Sequence, residues 1–573
     1  MGATALNSAA ELVAAPQGSG AMLHLQTVGG ALAAAATRWG DRDAYLIGEQ
    51  RLTYAQLFEN AIDWARALIG LGVGPGDHVG LLMPNSVEYL LLFHAATMIG
   101  ARAVTINARY RDDDLLYVID NADVGFLFIG GQALPHTDYR AMLARVYPEL
   151  AEWRKCEPLQ LAAAPKLRSI VNLADPREDA WPQEADFLAG ANSVSRGDAL
   201  TCAASVGPGD TCIMMFSSGT TSRPKACMLS HLNISLAGQA LAKRFRMSER
   251  DRIFNPMPFF HMSTMLPLAA CRASGAAFLG QMHFNAGLAL ETIECERVTI
   301  SYTSFPTINS AMTDHADFPR RDLSSLRVLH SVGPADLLRR YVRAFPGTYI
   351  VNAYGLTEAT GVPVWSDLDD PQDLSLVTSG KPFEGLDVKA FDIETHAILP
   401  PGENGELWIR GWSLFQGYYR DEKRTAEALT GDGWLRTGDI GSVDESGRVS
   451  YAGRLKDMLK IGGENVAAIE IENYLCTHPA VQIAQVIAVP DEHLFEVAAA
   501  FIELRPGAAA TAEEIARHCV GKIASFKIPR YISFVSEWPM SATKIQKFRL
   551  AQDFRPDGKI DVRALVAPEQ RAS

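Results

Sequence analysis

Small hydroxyl residues, one glycine and two cations fill consecutive positions in Ser217-Ser218-Gly219-Thr220-Thr221-Ser222-Arg223-Pro224-Lys225, directly after the apolar run Ile213-Met214-Met215-Phe216. That order predicts a buried strand emptying into a polar loop, and open α/β sheets collect ligands beyond the carboxyl ends of their strands. Backbone N–H groups and hydroxyls can wrap an oligophosphate in such a loop, with Lys225 or Arg223 offsetting its charge. The G-x-x-x-x-G-K-[ST] spacing is absent, which argues against an ordinary P-loop kinase or NTPase. Ser/Thr/Gly/Pro runs are also common in plain surface loops. What favours the phosphate reading is a series of further motifs downstream.

Those motifs are Met257-Pro258-Phe259-Phe260-His261, Asn352-Ala353-Tyr354-Gly355-Leu356-Thr357-Glu358, Gly405-Glu406-Leu407 with Gly417-Tyr418-Tyr419, and Trp434-Leu435-Arg436-Thr437-Gly438-Asp439. After them come Gly453-Arg454-Leu455-Lys456-Asp457, Lys460-Ile461-Gly462-Gly463-Glu464-Asn465 and Lys544-Ile545-Gln546-Lys547. With these in register from about Leu52-Thr53-Tyr54 to Lys544, the chain resembles the adenylate-forming superfamily of acyl-CoA synthetases, peptide-synthetase adenylation domains and beetle luciferases. The resemblance implies a definite chemistry. A carboxylate is a poor electrophile with a poor leaving group, and a mixed anhydride with AMP cures both faults. The enzyme must offset charge on the α-phosphate, hold Mg²⁺ on the departing pyrophosphate and keep the acid in line.

Residue by residue, the resemblance implies that Ser217, Ser218, Gly219, Thr220, Thr221 and Lys225 cradle the phosphates, Thr357 contacts the α-phosphate, and Glu358 and Thr221 serve Mg²⁺ through oxygen. Asn352, Ala353, Tyr354 and Gly355 frame the nucleotide, Tyr354 stacking on adenine and Gly333-Pro334-Ala335 lining its other side. Asp439 accepts the ribose hydroxyls and Arg454 reaches the same sugar. Lys544 is the adenylation lysine, a point charge delivered to the α-phosphate and the carboxylate, with Lys547 as competitor. His261 gates the acid site, Lys456 falls at a hinge, and Lys460, Gly462 and Gly463 line a channel for the pantetheine arm of CoA. Without the resemblance, Glu358 reads as a solvated helix-start carboxylate, Thr437-Gly438-Asp439 as a turn, and His261 as a satisfied core histidine.

The chain departs from the family pattern in two places. Ser222 and Ala226 stand where glycine is usual, and a side chain at positive φ there would cost about 1 kcal/mol. The stretch Pro539-Met540-Ser541-Ala542-Thr543-Lys544 is one residue short and lacks the glycine before the lysine, which could displace the ammonium group.

The elements that must position these residues alternate. Ser86 to Gly100 has helical spacing and precedes a short strand at Ala103 to Ile106. Val298 to Tyr302, Val328 to Ser331 and Tyr349 to Asn352 read as buried strands, so the class is α/β with parallel sheets covered by helices. At 573 residues, more than one core is expected. The reading is a flexible N-terminus over 1–20, a large adenylation domain over 21–453, a hinge at 454–456 and a small mobile α+β lid domain over 457–573. Within the lid, Thr511-Ala512-Glu513-Glu514 is a capping box opening a helix that stops before Pro529, and Ile483 to Val489 and Val497 to Leu504 are strands.

Apolar content of 48% and charged content of 21% are those of an ordinary globular protein, and a net charge of −13 disfavours nucleic acid and anionic membranes as partners. Eight scattered cysteines without metal spacing suit a reduced compartment. With no leader pattern and no apolar run long enough to span a bilayer, the expectation is a cytoplasmic protein. A homodimer would be unsurprising. Asn255 to His261 lacks the aspartate that amino-acid-activating relatives use, and Met262, Met265 and Leu266 suggest an apolar lining. The acid is therefore expected to be fatty, alicyclic or aromatic. No insertion separates Asp439 from Arg454, which favours CoA as acceptor over a carrier protein. Carrier loading, luciferase-like oxidation and a nucleotide-binding homologue with impaired catalysis are the rivals.

Overall fold

A computed structural model describes residues 12–15, 21–130, 138–154, 157–173, 181–217, 223–461, 464–491, 494–541, 544–555 and 558–562. The apolar run before the polar loop forms the strand Thr211–Ser217, buried at its five central positions. It sits in a seven-stranded sheet ordered Gly417–Tyr418, Lys225–Ser230, Thr211–Ser217, Arg102–Thr105, His78–Leu82, Phe126–Ile129, Ser169–Asn172. The last five run parallel, and the first two are antiparallel additions. Strands buried on both faces read as unbroken apolar runs, and His78–Leu82 and Phe126–Ile129 are buried at every position.

A second seven-stranded sheet is ordered Tyr349–Val351, Val328–Ser331, Ile300–Ser304, Arg252–Asn255, Ala277–Gly280, Asp43–Ile47, Gln50–Thr53. It is parallel apart from the closing Asp43–Ile47 and Gln50–Thr53 hairpin. The strand expected from Val298 starts two residues later, at Ile300, and runs to Ser304. The helix Val87–Met98 begins where Ser86 caps the Tyr89 N–H, and all but one of its residues are buried. A helix apolar all round belongs inside a large core.

The chain divides into two compact units. One draws on Met1–Ser217, Pro224–Asp387 and Ile409–Leu435, and the other contains Val388–Trp408 and Arg436–Ser573. In the second, Glu464–Ala467, Met458–Ile461, Phe495–Leu504, Val481–Asp491 and Tyr531–Phe534 make a five-stranded sheet. Leu459, Ile471, Val481, Ala498, Ile502 and Ile515 build its core. Thr511 and Glu514 form the expected reciprocal cap, but the helix Ala512–Cys519 ends well short of Pro529, because Val520 turns extended and Gly521 takes φ +71°. Within the segment expected to be flexible, Leu12–Ala14 pairs antiparallel with Met22–His24. No helix of the described residues is long and apolar enough to cross a membrane.

Candidate functional site

Thr211–Ser217 returns as Lys225–Ser230, with Ser217 opposite Lys225. The strand that follows the expected phosphate loop is therefore the antiparallel partner of the strand that precedes it. Ser218, Gly219, Thr220, Thr221 and Ser222 lie outside the described residues. Ala226 pairs with Phe216 in the returning strand, 1% exposed, and is absent from the positive-φ residues. The strain expected at Ala226 is thus corrected: the position is ordinary extended backbone, where a methyl group costs nothing.

Glu358 stands on the short turn Thr357–Ala359 that joins Ala353–Leu356 to its partner Gly361–Trp365. This is no solvated helix start. Gly355 is needed because the two strands approach so closely that a Cβ there would lie 2.0 Å from the Gly361 carbonyl oxygen. Thr360 holds φ +56°, its hydroxyl donating to the Ser413 carbonyl at 2.6 Å. The Glu358 carbonyl accepts the Phe415 N–H at 2.9 Å. On the side chain, Oε1 accepts from the Tyr418 hydroxyl at 2.8 Å and from the Ser217 hydroxyl at 3.2 Å. The Lys225 ammonium lies 4.8 Å from the centroid of the Tyr418 ring. Ser217, Lys225 and Glu358, far apart in sequence, are thus gathered at one hairpin end, with Tyr418 between them. Burial, and next the Glu358 carboxylate, push the Tyr418 phenol and the Cys227 thiol far up, so both are protonated donors at neutral pH.

The Met257 to His261 segment is held by residues that sequence reasoning missed. Asn85 accepts the Phe259 N–H at 2.8 Å and donates to the Met257 and Gln281 carbonyls at 2.9 Å each. Asn255 accepts the Met257 N–H at 2.8 Å, and Thr264 donates to the Pro258 carbonyl at 3.0 Å. His261 is the half-buried N-cap residue of the helix Met262–Ser274, its ring 4.7 Å from that of Phe260. Met262, Met265 and Leu266 are buried at 5%, 1% and 1% exposure.

Asn352 is buried, its amide donating to the Thr378 carbonyl at 3.2 Å and its Oδ1 accepting the Ala353 N–H at 2.9 Å. Both functions shape the backbone. Tyr354 is 5% exposed, and Thr357 is half-buried on the Glu358 turn. Gly333 and Pro334 follow Val328–Ser331, and Ala335 starts the next helix.

The second unit carries the other set. Asp439 pairs directly with Arg454 across Trp434–Val443 and Val449–Arg454, and Arg454 Nε meets Asp439 Oδ1 at 2.9 Å. Two residues expected to share a ribose are already joined to each other. Thr437-Gly438-Asp439 is a kink inside a strand instead of a turn between elements. Gly438 takes φ +68° and donates its N–H to Glu406 Oε1 at 2.8 Å, while Thr437 Oγ1 donates to the Leu407 carbonyl at 2.5 Å. Glu406 also accepts the Trp408 indole N–H at 2.8 Å, which explains the acidic residue in Gly405-Glu406-Leu407.

Lys456 is exposed on the turn Leu455–Asp457, and Lys460 is exposed on Met458–Ile461 with its N–H donating to Glu496 at 2.6 Å. Gly462 and Gly463 lie outside the described residues. The backbone of Lys544 pairs with Ser541 in a small hairpin, and the Gln546 N–H closes its base on the Pro539 carbonyl at 2.7 Å. Ala542 and Thr543, in the stretch expected to be one residue short, lie outside the described residues.

Lys547 is committed elsewhere. Its ammonium sits 2.5 Å from Glu472 Oε1, a carboxylate only 5% exposed that also accepts the Val486 N–H at 2.7 Å. Burial raises the Glu472 pKa, and Lys547 opposes that shift. Lys547→Met should therefore cost the second unit about 3 kcal/mol by stranding a buried charge. The loss should grow as pH rises through the raised Glu472 pKa, because the folded variant favours the protonated acid. Urea melts at several pH values measure it, and a pH-independent change under 0.5 kcal/mol would contradict the buried pair.

Residues 32–419 match the family model described as AMP-binding enzyme, and residues 470–544 that of the AMP-binding enzyme C-terminal domain. The chain is 32% identical over 549 residues to the mitochondrial medium-chain acyl-CoA ligase ACSF2 of Mus musculus, covering 93% of this chain and 88% of that one. It is 32% identical over 532 residues to the 3-[(3aS,4S,7aS)-7a-methyl-1,5-dioxo-octahydro-1H-inden-4-yl]propanoyl:CoA ligase of Rhodococcus jostii (strain RHA1), covering 92% and 98%. Among solved structures, the anthranilate CoA ligase AuaEII in complex with anthranoyl-AMP superposes with a TM-score of 0.78 at 28% identity, covering 92% of this chain and 96% of that one. The hairpin-end carboxylate, the paired Asp439 and Arg454 and the separate C-terminal sheet thus stand in a chain that belongs to the AMP-binding enzyme family, in the acyl-CoA synthetase branch of the adenylate-forming superfamily, and it is an acid–CoA ligase.

Proposed function

We propose that this chain joins an apolar carboxylic acid to CoA in two half-reactions. A carboxylate oxygen attacks the α-phosphorus of ATP, the bond to the bridging oxygen breaks, and pyrophosphate leaves. The thiol of CoA then attacks the acyl carbon, its proton is lost, and AMP departs. The observation that carries the reading is the ordered Glu358 carboxylate, set beside Ser217 and Lys225 at the end of a β-hairpin.

In this reading Ser217, Ser218, Gly219, Thr220, Thr221 and Lys225 hold the β- and γ-phosphates, and Thr357 the α-phosphate. Tyr354, Asn352, Ala353, Gly355 and Gly333-Pro334-Ala335 frame the adenine, and Asp439 and Arg454 the ribose. His261 borders the acid, Lys544 steadies charge during adenylation, and Lys460 with Gly462 and Gly463 guides the thiol arm. Residues 21–453 form the adenylation domain, 454–456 the hinge and 457–573 the lid that exchanges Lys544 for Lys460. The scattered free thiols support a reducing, cytoplasmic setting.

Among the described residues no group of three or more His, Cys, Asp or Glu is placed to hold a metal ion. One carboxylate still fits Mg²⁺, which keeps most of its ligands as water and phosphate oxygens. Glu358 would hold it, with the Thr221 hydroxyl as the second oxygen in this reading, and the bound ion would offset charge on the leaving pyrophosphate. What the chain itself contributes is the orientation of that carboxylate.

AMP release measured over fatty, alicyclic, aryl and amino acids, with and without CoA, tests the reading. Turnover with an apolar acid should depend on CoA. Turnover confined to amino acids, or transfer of the acyl group only to a carrier protein with release of AMP, would overturn it.

A further inference from the structure

Tyr418 occupies a junction that no motif role explains. It lies on the two-residue strand Gly417–Tyr418, which pairs with Lys225–Ser230 and sets Tyr418 opposite Cys227. The residue is 8% exposed, with its ring 4.8 Å from that of Phe415 at 67°. Its hydroxyl donates to Glu358 Oε1 at 2.8 Å, while its ring lies 4.8 Å from the Lys225 ammonium. One side chain therefore contacts both charges of the site through different parts of its structure: the polar tip meets the carboxylate, and the electron-rich ring meets the cation.

The surroundings keep that arrangement one-directional. A phenol whose proton is held far above its usual range by burial can only donate toward Glu358 at working pH. The Phe415 N–H anchors the backbone of the same glutamate, so the 415–418 segment fixes Glu358 at both its carbonyl and its carboxylate. Ser217 adds a second hydroxyl on the same oxygen, at 3.2 Å. With Oε1 taken by two protein hydroxyls, the carboxylate is oriented by the protein, and what it offers a cation is set by Tyr418.

We propose that Tyr418 is a positioning residue for adenylation, holding the Glu358 carboxylate and the Lys225 ammonium in the geometry that receives the magnesium–triphosphate group of ATP. The inference rests on the proposed role of Glu358 in that site.

Tyr418→Phe removes the hydroxyl but retains the ring for Lys225 and the core. It should weaken magnesium–ATP binding, measured by calorimetry in the absence of acid and CoA, by about tenfold, the scale of one hydrogen bond to a charged group. It should lower pyrophosphate release by a similar factor, with the thioester step from a supplied acyl-adenylate unchanged. Tyr418→Leu, which also removes the ring, should weaken ATP binding further. In a double-mutant cycle, Tyr418→Phe in a Glu358→Gln background should have less than half its single effect on ATP binding, since Phe then removes a bond to an uncharged partner. Wild-type ATP affinity in Tyr418→Phe, with an inactive Glu358→Gln, would overturn the Tyr418 inference and leave the Glu358 role intact. A fully active Glu358→Gln would instead remove the reading on which it rests. A lowered Tm in Tyr418→Phe with unchanged ATP affinity and adenylation rate would assign the residue to packing alone.

Discussion

Lys544→Ala should lower acid-dependent pyrophosphate release by about 10²–10³-fold, the usual loss when one preorganised charge stabiliser is removed from a transition state. Attack of CoA on a supplied acyl-adenylate should remain within a few-fold of wild type. The separation follows from timing. Negative charge accumulates on the α-phosphate and the attacking carboxylate during the first half-reaction, and a lysine that offsets it has no such task once the anhydride exists. Lys460→Ala should show the reverse split, with adenylation retained and thioester formation reduced. Lys547 is no substitute for Lys544, because its ammonium is held by the buried Glu472. Single-turnover assays of each half-reaction measure both variants. Adenylation at the wild-type rate in Lys544→Ala would remove this lysine from the chemistry.

Glu358→Gln should be nearly as damaging, with pyrophosphate release falling by about 10²-fold or more as the hard anionic ligand is lost. The substitution is chosen for its shape. Glutamine can still accept from the Tyr418 and Ser217 hydroxyls, so the hairpin end should stay folded and Tm should move little. Raising Mg²⁺ should recover part of the activity if the lost charge acts on the metal, and none if Glu358 is only structural. Wild-type turnover in Glu358→Gln would show that the carboxylate is a packing feature. Measuring circular dichroism alongside separates misfolding from lost chemistry.

Several elements were legible in advance because their signals are local. The strands Val328–Ser331 and Thr211–Ser217 announce themselves as short apolar runs ending in turn residues. The Thr511 and Glu514 cap follows from residues three apart, whose reciprocal bonds need no distant partner. The helix end near Cys519 was less legible, since a proline ten residues on is a weaker signal than the local turn at Gly521. Ala226 was misjudged for a related reason: whether a position needs positive φ depends on the strand it pairs with, and Phe216 decides that.

By itself the sequence determined the family, the α/β class, the order of the motifs and the presence of Glu358, Asp439, Arg454 and Lys544 at their places in that order, because periodicity, turn chemistry and spacing are properties of neighbouring residues. Only the tertiary structure decided that Ser217 pairs with Lys225, that Lys547 belongs to Glu472 and that Asn85 holds the segment leading to His261. It also placed Tyr418 on a glutamate 60 residues away and Ser217 on the same oxygen across 141. Contacts at such separation arise when sheets pair and cores close, and the energy that selects them is shared among many buried residues, so no short stretch of chain encodes them.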